Sequence, residues 1–168
     1  MHELRDYLDQ LDRLGVNGGD RMPYDLHEAH ARLSERERRI KSRKLNMPFR
    51  IRRHLLRWMC WKHNGMFIRP VDSADELTRE GEQQQNCVAG YAKRHAEGKT
   101  IILLLRKCSA PKESWHTVEI DPESLTCRQC YAARNMRRTP EAAAFMEAYL
   151  EHLRQVRPRK WKKKRRAA

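Results

Sequence analysis

The sequence predicts an α+β domain with N-terminal helices packed on a small, mainly antiparallel sheet, helices on one side of that sheet, a C-terminal helix and a basic tail. Three observations predict this class. Apolar residues recur at helical spacing in the first third of the chain, strand-like segments joined by a turn follow, and a Thr-Pro-Glu start opens the last apolar stretch. The length of 168 residues suits one domain of ordinary size.

These patterns divide the chain into three segments. Residues 1–65 are predicted to form a helical region that contains a basic block. Residues 66–156 are predicted to form the α+β core, and residues 157–168 a basic tail that we expect to be disordered.

Helices are predicted throughout the first segment. The spacing of Leu4, Leu8 and Leu11 predicts an amphipathic first helix, and a second helix is predicted to begin near Asp25. Pro48 is expected to interrupt the second helix, because proline lacks a backbone N–H and its ring clashes with the preceding turn.

A third helix is predicted over residues 49–63, where Asn64 and Gly65 would end it. Its apolar stripe is predicted to consist of Ile51, Leu55, Trp58 and Met59. In this arrangement most arginines of the stretch lie on other faces of the helix.

The core begins with a short strand over residues 66–69. Ser73 is predicted to cap a helix over residues 75–80, and a further helix is predicted over residues 83–97, with Gly98 as its stop. The aliphatic run Ile101–Leu105 is predicted to be a buried strand.

A hairpin and a helix complete the core. Residues 115–120 and 125–131 are predicted to be strands joined by a four-residue turn, and Thr139 is predicted to cap the final helix. The buried face of that helix is predicted to be Phe145, Met146, Tyr149, Leu150 and Leu153.

The four-residue turn predicts the pairs Ile120–Leu125, Val118–Cys127 and His116–Gln129. On the opposite face Glu119 and Arg128 come close, either as an ion pair on a solvated surface or as part of a polar site. A single bulge would change which residues face that site.

The net charge of +14 is concentrated in two segments. Lys and Arg number 36 against 22 Asp and Glu, and residues 36–57 and 157–166 contribute +9 and +8, so the remainder sums to −3. Clustered cations attract polyanions by releasing their counterions, so nucleic acid is the expected partner and an anionic membrane surface is the second candidate. The predicted nucleic-acid contacts are Arg36, Arg38, Arg39, Lys41, Arg43, Lys44, Arg50, Arg52, Arg53, Arg57, Arg159, Lys160, Trp161, Lys162, Lys163, Lys164, Arg165 and Arg166.

Several functional classes are excluded by what the sequence contains. The longest apolar run is five residues, far short of the roughly 20 that span a membrane. The charged N-terminus has no apolar secretory segment, so we expect a cytoplasmic protein. No phosphate-binding loop, dinucleotide fingerprint, HExxH or GxSxG motif occurs.

The cysteines raise the question of a metal. Cys60, His63, Cys127 and Cys130 form two ligand pairs at three-residue spacing, which suits structural zinc. However, residues i and i+3 of an extended strand point to opposite faces, and the second pair lacks a glycine or turn residue. We therefore expect no zinc and no other cofactor.

Cys87 is the candidate nucleophile. It lies in the first turn of the helix predicted over residues 83–97, where a helix dipole favours a thiolate, and Tyr91 and His95 follow on the same side. A cysteine–histidine site is one interpretation, and a small buried core cysteine is the other.

The order of residues in the core resembles the PcfJ-like family. The resemblance is carried by Asn86-Cys87-Val88-Ala89-Gly90-Tyr91, by Gly98-Lys99-Thr100-Ile101, and by Thr117-Val118-Glu119-Ile120. It extends over most of residues 1–154. It implies a bacterial protein associated with conjugative plasmids, phages or other mobile elements.

The resemblance also implies a single polar pocket. Its matching positions are Cys87, Tyr91, Arg106, Thr117, Glu119, Gln129 and Asn135. If the pocket is catalytic, Cys87, Glu119 and Gln129 are the candidate catalytic residues.

Three functions are consistent with these patterns. The leading hypothesis is a nucleic-acid-associated accessory protein of a bacterial mobile element that binds phosphate backbone through its basic segments. The alternatives are an enzyme, either acting on nucleic acid or a cysteine-dependent transferase, and a protein-interaction module within a conjugation or phage complex.

Overall fold

The computed structural model describes residues 2–16 and 21–157, and these form an α+β fold. They divide into two compact units, one before and one after the junction of Lys44 and Leu45. The helices are α1 (His2–Arg13), α2 (Leu26–Leu56), α3 (Ala74–Gln84), α4 (Ala92–Ala96) and α5 (Pro140–Val156). The strands are β1 (Trp61–His63), β2 (Met66–Pro70), β3 (Ile101–Lys107), β4 (His116–Ile120) and β5 (Cys127–Tyr131).

The first unit contains α1 and the first part of α2. Tyr7 and Leu11 of α1 are buried, which confirms the predicted amphipathic helix. Gln10 is buried with them, and its amide donates to Ser34 Oγ at 3.2 Å and to Glu37 Oε2 at 3.1 Å. These two bonds tie α1 to α2 within the unit.

Helix α2 continues through Pro48, so the predicted interruption there is wrong. Phe49, directly after Pro48, and Leu56, about two helical turns further along, are fully buried. Their burial is worth about 1.5–3 kcal/mol each, which offsets the cost of about 3 kcal/mol for an interior proline.

The third predicted helix, over residues 49–63, is also wrong in its bounds and its buried face. The helix ends at Leu56, and a 3₁₀ turn (Arg57–Met59) leads into β1. Ile51 and Leu55, which were expected in the apolar stripe, are 53% and 51% exposed. Residues 61–63 instead form strand β1, which pairs with β2. This strand of the sheet lies before residue 66, where the α+β core was predicted to begin.

The sheet is an antiparallel meander in the order β1-β2-β3-β4-β5. Ile101, Leu103 and Leu105 of the central strand β3 pack in the core that includes α5, whereas Ile102 and Leu104 pack in a second core that includes α3. Helices therefore cover both faces of the sheet, not one as predicted. Burial on both faces explains why β3 reads as a continuous aliphatic run.

The β4–β5 connection differs from the predicted turn. Asp121 accepts hydrogen bonds from the backbone N–H groups of Glu123 and Ser124 at 2.9 and 2.8 Å, and β5 begins only at Cys127. The link spans residues 121–126 instead of four residues, and a bulge between Glu119 and Ile120 shifts the register further, so the three predicted pairs are wrong. The observed pairs are Thr117–Tyr131, Val118–Cys130, Glu119–Gln129 and Ile120–Cys127.

Two of the predicted helix caps are confirmed, at Ser73 and Thr139. The single helix predicted over residues 83–97 is wrong, because α3 ends where Gln85 adopts left-handed backbone geometry with φ of 50°. The Asn86 side chain then accepts the Val88 N–H at 3.1 Å, and a 3₁₀ turn (Val88–Tyr91) precedes α4.

A buried ion pair joins α3 to the sheet. Glu80 of α3 and Arg106 of β3 are 3% and 4% exposed and form a salt bridge. Glu80 also accepts from Thr117 Oγ1 at 2.7 Å and from Ser114 Oγ at 2.6 Å. The carboxylate therefore holds one helix against two neighbouring strands.

Two histidines are also buried and are held neutral. His95 Nδ1 accepts the Ile102 N–H at 3.0 Å, and His116 Nε2 accepts the Thr139 N–H at 3.3 Å. Burial, with smaller contributions from nearby arginine and lysine side chains, lowers the pKa of His95 to about 3 and that of His116 to about 4.

We expect Glu80→Gln to lower the free energy of unfolding by about 3–5 kcal/mol, because it leaves the buried Arg106 charge without a counter-charge. Urea denaturation at neutral pH measures this. Glu123→Gln, at an exposed carboxylate, is the matched control and should change stability by less than about 0.5 kcal/mol. A loss below about 1 kcal/mol for Glu80→Gln would show that the pair is not a principal support of the fold.

We also expect stability to fall as the pH is lowered from 6.5 to 5. An unfolded histidine takes up a proton near pH 6.5 whereas buried His95 and His116 do not. Each therefore lowers the free energy of unfolding with a slope that rises from about 0.7 kcal/mol per pH unit at pH 6.5 to about 1.3 near pH 5. Urea denaturation at several pH values in this window measures the slope of the free energy of unfolding against pH. His95→Gln should show about half of the wild-type slope, and His54→Gln, which replaces an exposed histidine, should show the full wild-type slope. Equal slopes in wild type and His95→Gln would contradict this.

Candidate functional site

A small cavity with both polar and apolar lining lies between one face of the sheet and the segment that follows α3. It has a volume of about 50 Å³, enough for a few water molecules or the edge of a small ligand. It is lined by Asn86, Cys87, Val88, Tyr91, Ile102, Thr117, Glu119, Gln129, Tyr131 and Asn135. Six of the seven side chains expected to share a pocket are among them, and Arg106 is not.

The sheet forms one wall of the cavity. Because of the bulge in β4, Glu119 lies beside Gln129 and Thr117 beside Tyr131, and all four line the cavity. The predicted register had placed Gln129 opposite His116, on the other face. The bulge is thus the local feature that brings Gln129 to the site.

The opposite wall is the 3₁₀ turn after α3. Cys87 and Tyr91 lie at its two ends, and the turn is held by the Asn86 side chain. Cys87 is a free, exposed cysteine, so its thiol is accessible from solvent. The Tyr91 ring carries the Arg94 guanidinium 5.3 Å from its centroid.

Asn135 reaches the rim through a turn with strained backbone. Arg134 and Asn135 have φ values of 55° and 57°, a left-handed geometry that side chains other than glycine adopt at a cost of about 1–3 kcal/mol. Arg134 Nε donates to Gln85 Oε1 at 2.7 Å, and Gln85 is itself left-handed at the end of α3. The loop is thereby fixed to the opposite wall of the cavity.

Glu119 is the carboxylate of the cavity lining, and it is 6% exposed. It accepts from Thr100 Oγ1 at 2.7 Å, and Arg128 Nη1 lies 3.6 Å from the same oxygen. The predicted proximity of Glu119 and Arg128 is therefore present, but Glu119 is buried and Arg128 also pairs with Asp121. The second oxygen of Glu119 makes no hydrogen bond within the described residues.

The structure does not bring a histidine to Cys87. Neither His95 nor His116 lines the cavity, and each has one ring nitrogen occupied by a backbone N–H. The helix expected to place His95 on the side of Cys87 is broken by the 3₁₀ turn. A cysteine–histidine arrangement is therefore not formed.

Arg106 was predicted to belong to the pocket and lies behind it instead. Its guanidinium is buried in the pair with Glu80, where it also donates to the Leu105 carbonyl at 3.2 Å. It acts on the cavity only through the network that holds Thr117.

The four candidate zinc ligands are in different surroundings. Cys130 packs in the core, where burial raises the pKa of its thiol to about 12, and Cys127 Sγ lies 3.3 Å from the Gln129 carbonyl. Cys60 and His63 lie at β1, at the other edge of the sheet. Among residues 2–16 and 21–157, no group of three or more His, Cys, Asp or Glu side chains could hold a metal.

An open basic groove adjoins the cavity, and sequence reasoning missed it. Arg128, Arg137 and Arg138 line it, and Gln129 and Tyr131 line both the groove and the cavity. β5 is an edge strand, and the backbone of Arg137 pairs with that of Tyr131 in a single bridge. The run Arg134-Asn135-Met136-Arg137-Arg138 beside an edge strand was the available signal.

The predicted nucleic-acid contacts of the first unit fall into two groups. Arg38 and Arg39 pair with Glu35, and Lys41 pairs with Glu37. The others of this unit are exposed and make no ion pair with a described acidic residue: Arg36, Arg43 and Lys44.

The predicted nucleic-acid contacts of the second unit also differ in exposure and in ion pairing. Arg52 is 8% exposed and packs beside Gly98, so little of its side chain reaches solvent in this fold, and its phosphate contact stays a prediction. Arg53 pairs with Asp72 at 3.2 Å, while Arg50 and Arg57 are exposed without an ion pair to a described acidic residue. The remaining predicted contacts lie outside the described residues: Arg159, Lys160, Trp161, Lys162, Lys163, Lys164, Arg165 and Arg166.

Among the described residues, no helix is both long and apolar enough to cross a membrane. In comparisons with known proteins, the family model described as PcfJ-like protein matches residues 3–147. No curated protein and no solved structure matches the chain. Because the family match covers most of the chain, including every residue that lines the cavity, the chain belongs to the PcfJ-like protein family.

Proposed function

We propose that the protein binds nucleic acid through the phosphate backbone. The observation that carries the proposal is the open groove along edge strand β5, where Arg137 and Arg138 are exposed. Neither forms an ion pair with a described acidic residue. Unpaired guanidinium groups in an open groove are well suited to bidentate contact with phosphate oxygens.

The charge of the surrounding chain supports this interpretation. Residues 45–157 contain 19 Lys and Arg against 13 Asp and Glu, a net charge of +6. Glu80 and Asp121 are each paired with an arginine, Arg106 and Arg128, so these two pairs add no net charge and the excess lies on other arginines and lysines. Arg50 and Arg57 add exposed cations to the same unit.

The proposal includes the setting expected from the sequence. It is an accessory protein of a bacterial mobile element that acts in the cytoplasm, with the basic segment 157–166 as a further contact to the polyanion. Other proteins of a mobile-element complex are possible additional partners. Removal of residues 158–168 should weaken binding at low salt without lowering the free energy of unfolding.

We expect binding to single-stranded and duplex nucleic acid to weaken steeply with salt, because each phosphate contact releases condensed counterions. The double substitution Arg137→Ala, Arg138→Ala should reduce the slope of log affinity against log salt by roughly 2. Fluorescence anisotropy at several salt concentrations measures both. Arg154→Ala, at an exposed arginine paired with Glu151, is the matched control and should leave the slope unchanged.

Affinity that is independent of salt would contradict the proposal. An unchanged slope in the double variant would show instead that the groove is not the contact surface.

A further inference from the structure

We infer that the cavity receives the edge of an unpaired nucleobase while the adjoining groove holds the phosphate next to it. This inference rests on the proposed function and assigns its substrate class, single-stranded nucleic acid. It follows from three features of the described residues: the chemistry of the lining, the size of the cavity, and the side chains that the cavity and the groove share.

The lining offers paired donors and acceptors. Gln129 and Asn135 each present an amide, and within the described residues neither side chain makes a hydrogen bond. The second oxygen of Glu119 adds an acceptor at the base of the cavity. Amides and carboxylates are the groups that bind the ring nitrogens, carbonyls and amino groups of base edges.

The size of the cavity favours an edge over a whole ring. A volume of about 50 Å³ is well below the roughly 150 Å³ of a cavity that encloses benzene. The ring would therefore lie at the mouth, where Tyr131 is 37% exposed. Base–aromatic stacking of this kind stabilises single strands without regard to sequence.

The groove can hold the phosphate backbone of the nucleic acid next to the bound base. Tyr131 and Gln129 line both the cavity, on the α3 face of the sheet, and the groove, which also includes Pro140 and Ala143 of α5. A strand that passes around edge strand β5 therefore brings the phosphate next to the bound base toward Arg137 and Arg138. The Arg94 guanidinium, 5.3 Å from the ring centroid of the lining residue Tyr91, is a further cation beside the opposite wall. Positive charge thus lies on both sides of a cavity whose charged lining residue is Glu119. This arrangement suits a nucleic-acid strand whose base enters the cavity while its phosphates stay outside.

A duplex does not meet these requirements. The Watson–Crick edges of its bases are already paired, and the cavity admits no stacked pair. A base must be unpaired and turned out of the stack to reach Glu119 and Gln129, which costs least in a single strand.

The test compares a single-stranded oligonucleotide with an abasic strand of the same length and charge, with both DNA and RNA arms, by fluorescence anisotropy. We expect the base-bearing strand to bind roughly tenfold more tightly than the abasic strand. The double substitution Tyr131→Ala, Gln129→Ala should remove this difference. Tyr24→Ala, at a fully exposed tyrosine, is the matched control and should preserve the difference.

Each outcome decides between the two claims. Equal, salt-dependent binding of both strands would overturn the cavity inference and leave backbone binding standing. A base preference that survives in the double variant, with its unfolding midpoint retained, would also overturn it, because the base would be bound elsewhere. Binding of neither strand would overturn the proposed function, and the inference with it.

Discussion

The cavity depends on the buried ion pair between Glu80 and Arg106. This pair, with Thr117 bonded to the same carboxylate, sets the position of α3 over β3 and β4. The turn that carries Cys87 and Tyr91 follows α3 directly, so the distance between the two walls is set by this contact. A buried ion pair is seldom the most stable choice, since apolar side chains of similar volume often do as well. Its value here is that it positions α3 in one specific place on the sheet.

Three distortions of regular structure complete the site. Gln85 ends α3 in left-handed geometry, the bulge in β4 turns Gln129 toward Glu119, and strained Arg134 and Asn135 close the rim. Each costs stability locally, and all of them occur around one cavity. Of the five described non-glycine residues with left-handed backbone, Asn64 and Leu125 lie in strand connections outside the lining, and the other three lie around the cavity. Strain is common at binding sites, where surrounding structure holds side chains in working positions. The edge strand β5 joins this cavity to the basic groove, since Gln129 and Tyr131 line both.

The regular parts of the fold could be predicted from local sequence, and the distortions could not. The aliphatic run of β3 and the caps at Ser73 and Thr139 are local signals, and the structure confirms them. Pro48 misled because tertiary burial of its neighbours outweighs its own preference. The bulge has no signature in sequence, so the hairpin register was wrong although the set of polar residues was nearly right. Arg52 in the basic block and Arg106 among the family-matched positions are both buried, and only the fold determines which arginines are.

The most direct test of this account is the NMR spectrum of the side-chain amides during titration with a single-stranded oligonucleotide. Asn86, Gln129 and Asn135 contribute three amide groups at the cavity, while Asn64, between β1 and β2, lies outside its lining. The account predicts that the signals of Gln129 and Asn135 shift progressively and saturably, together with backbone signals of Arg137 and Arg138, while that of Asn64 stays in place. Shifts restricted to basic residues outside the cavity, with the cavity amides unmoved, would contradict it.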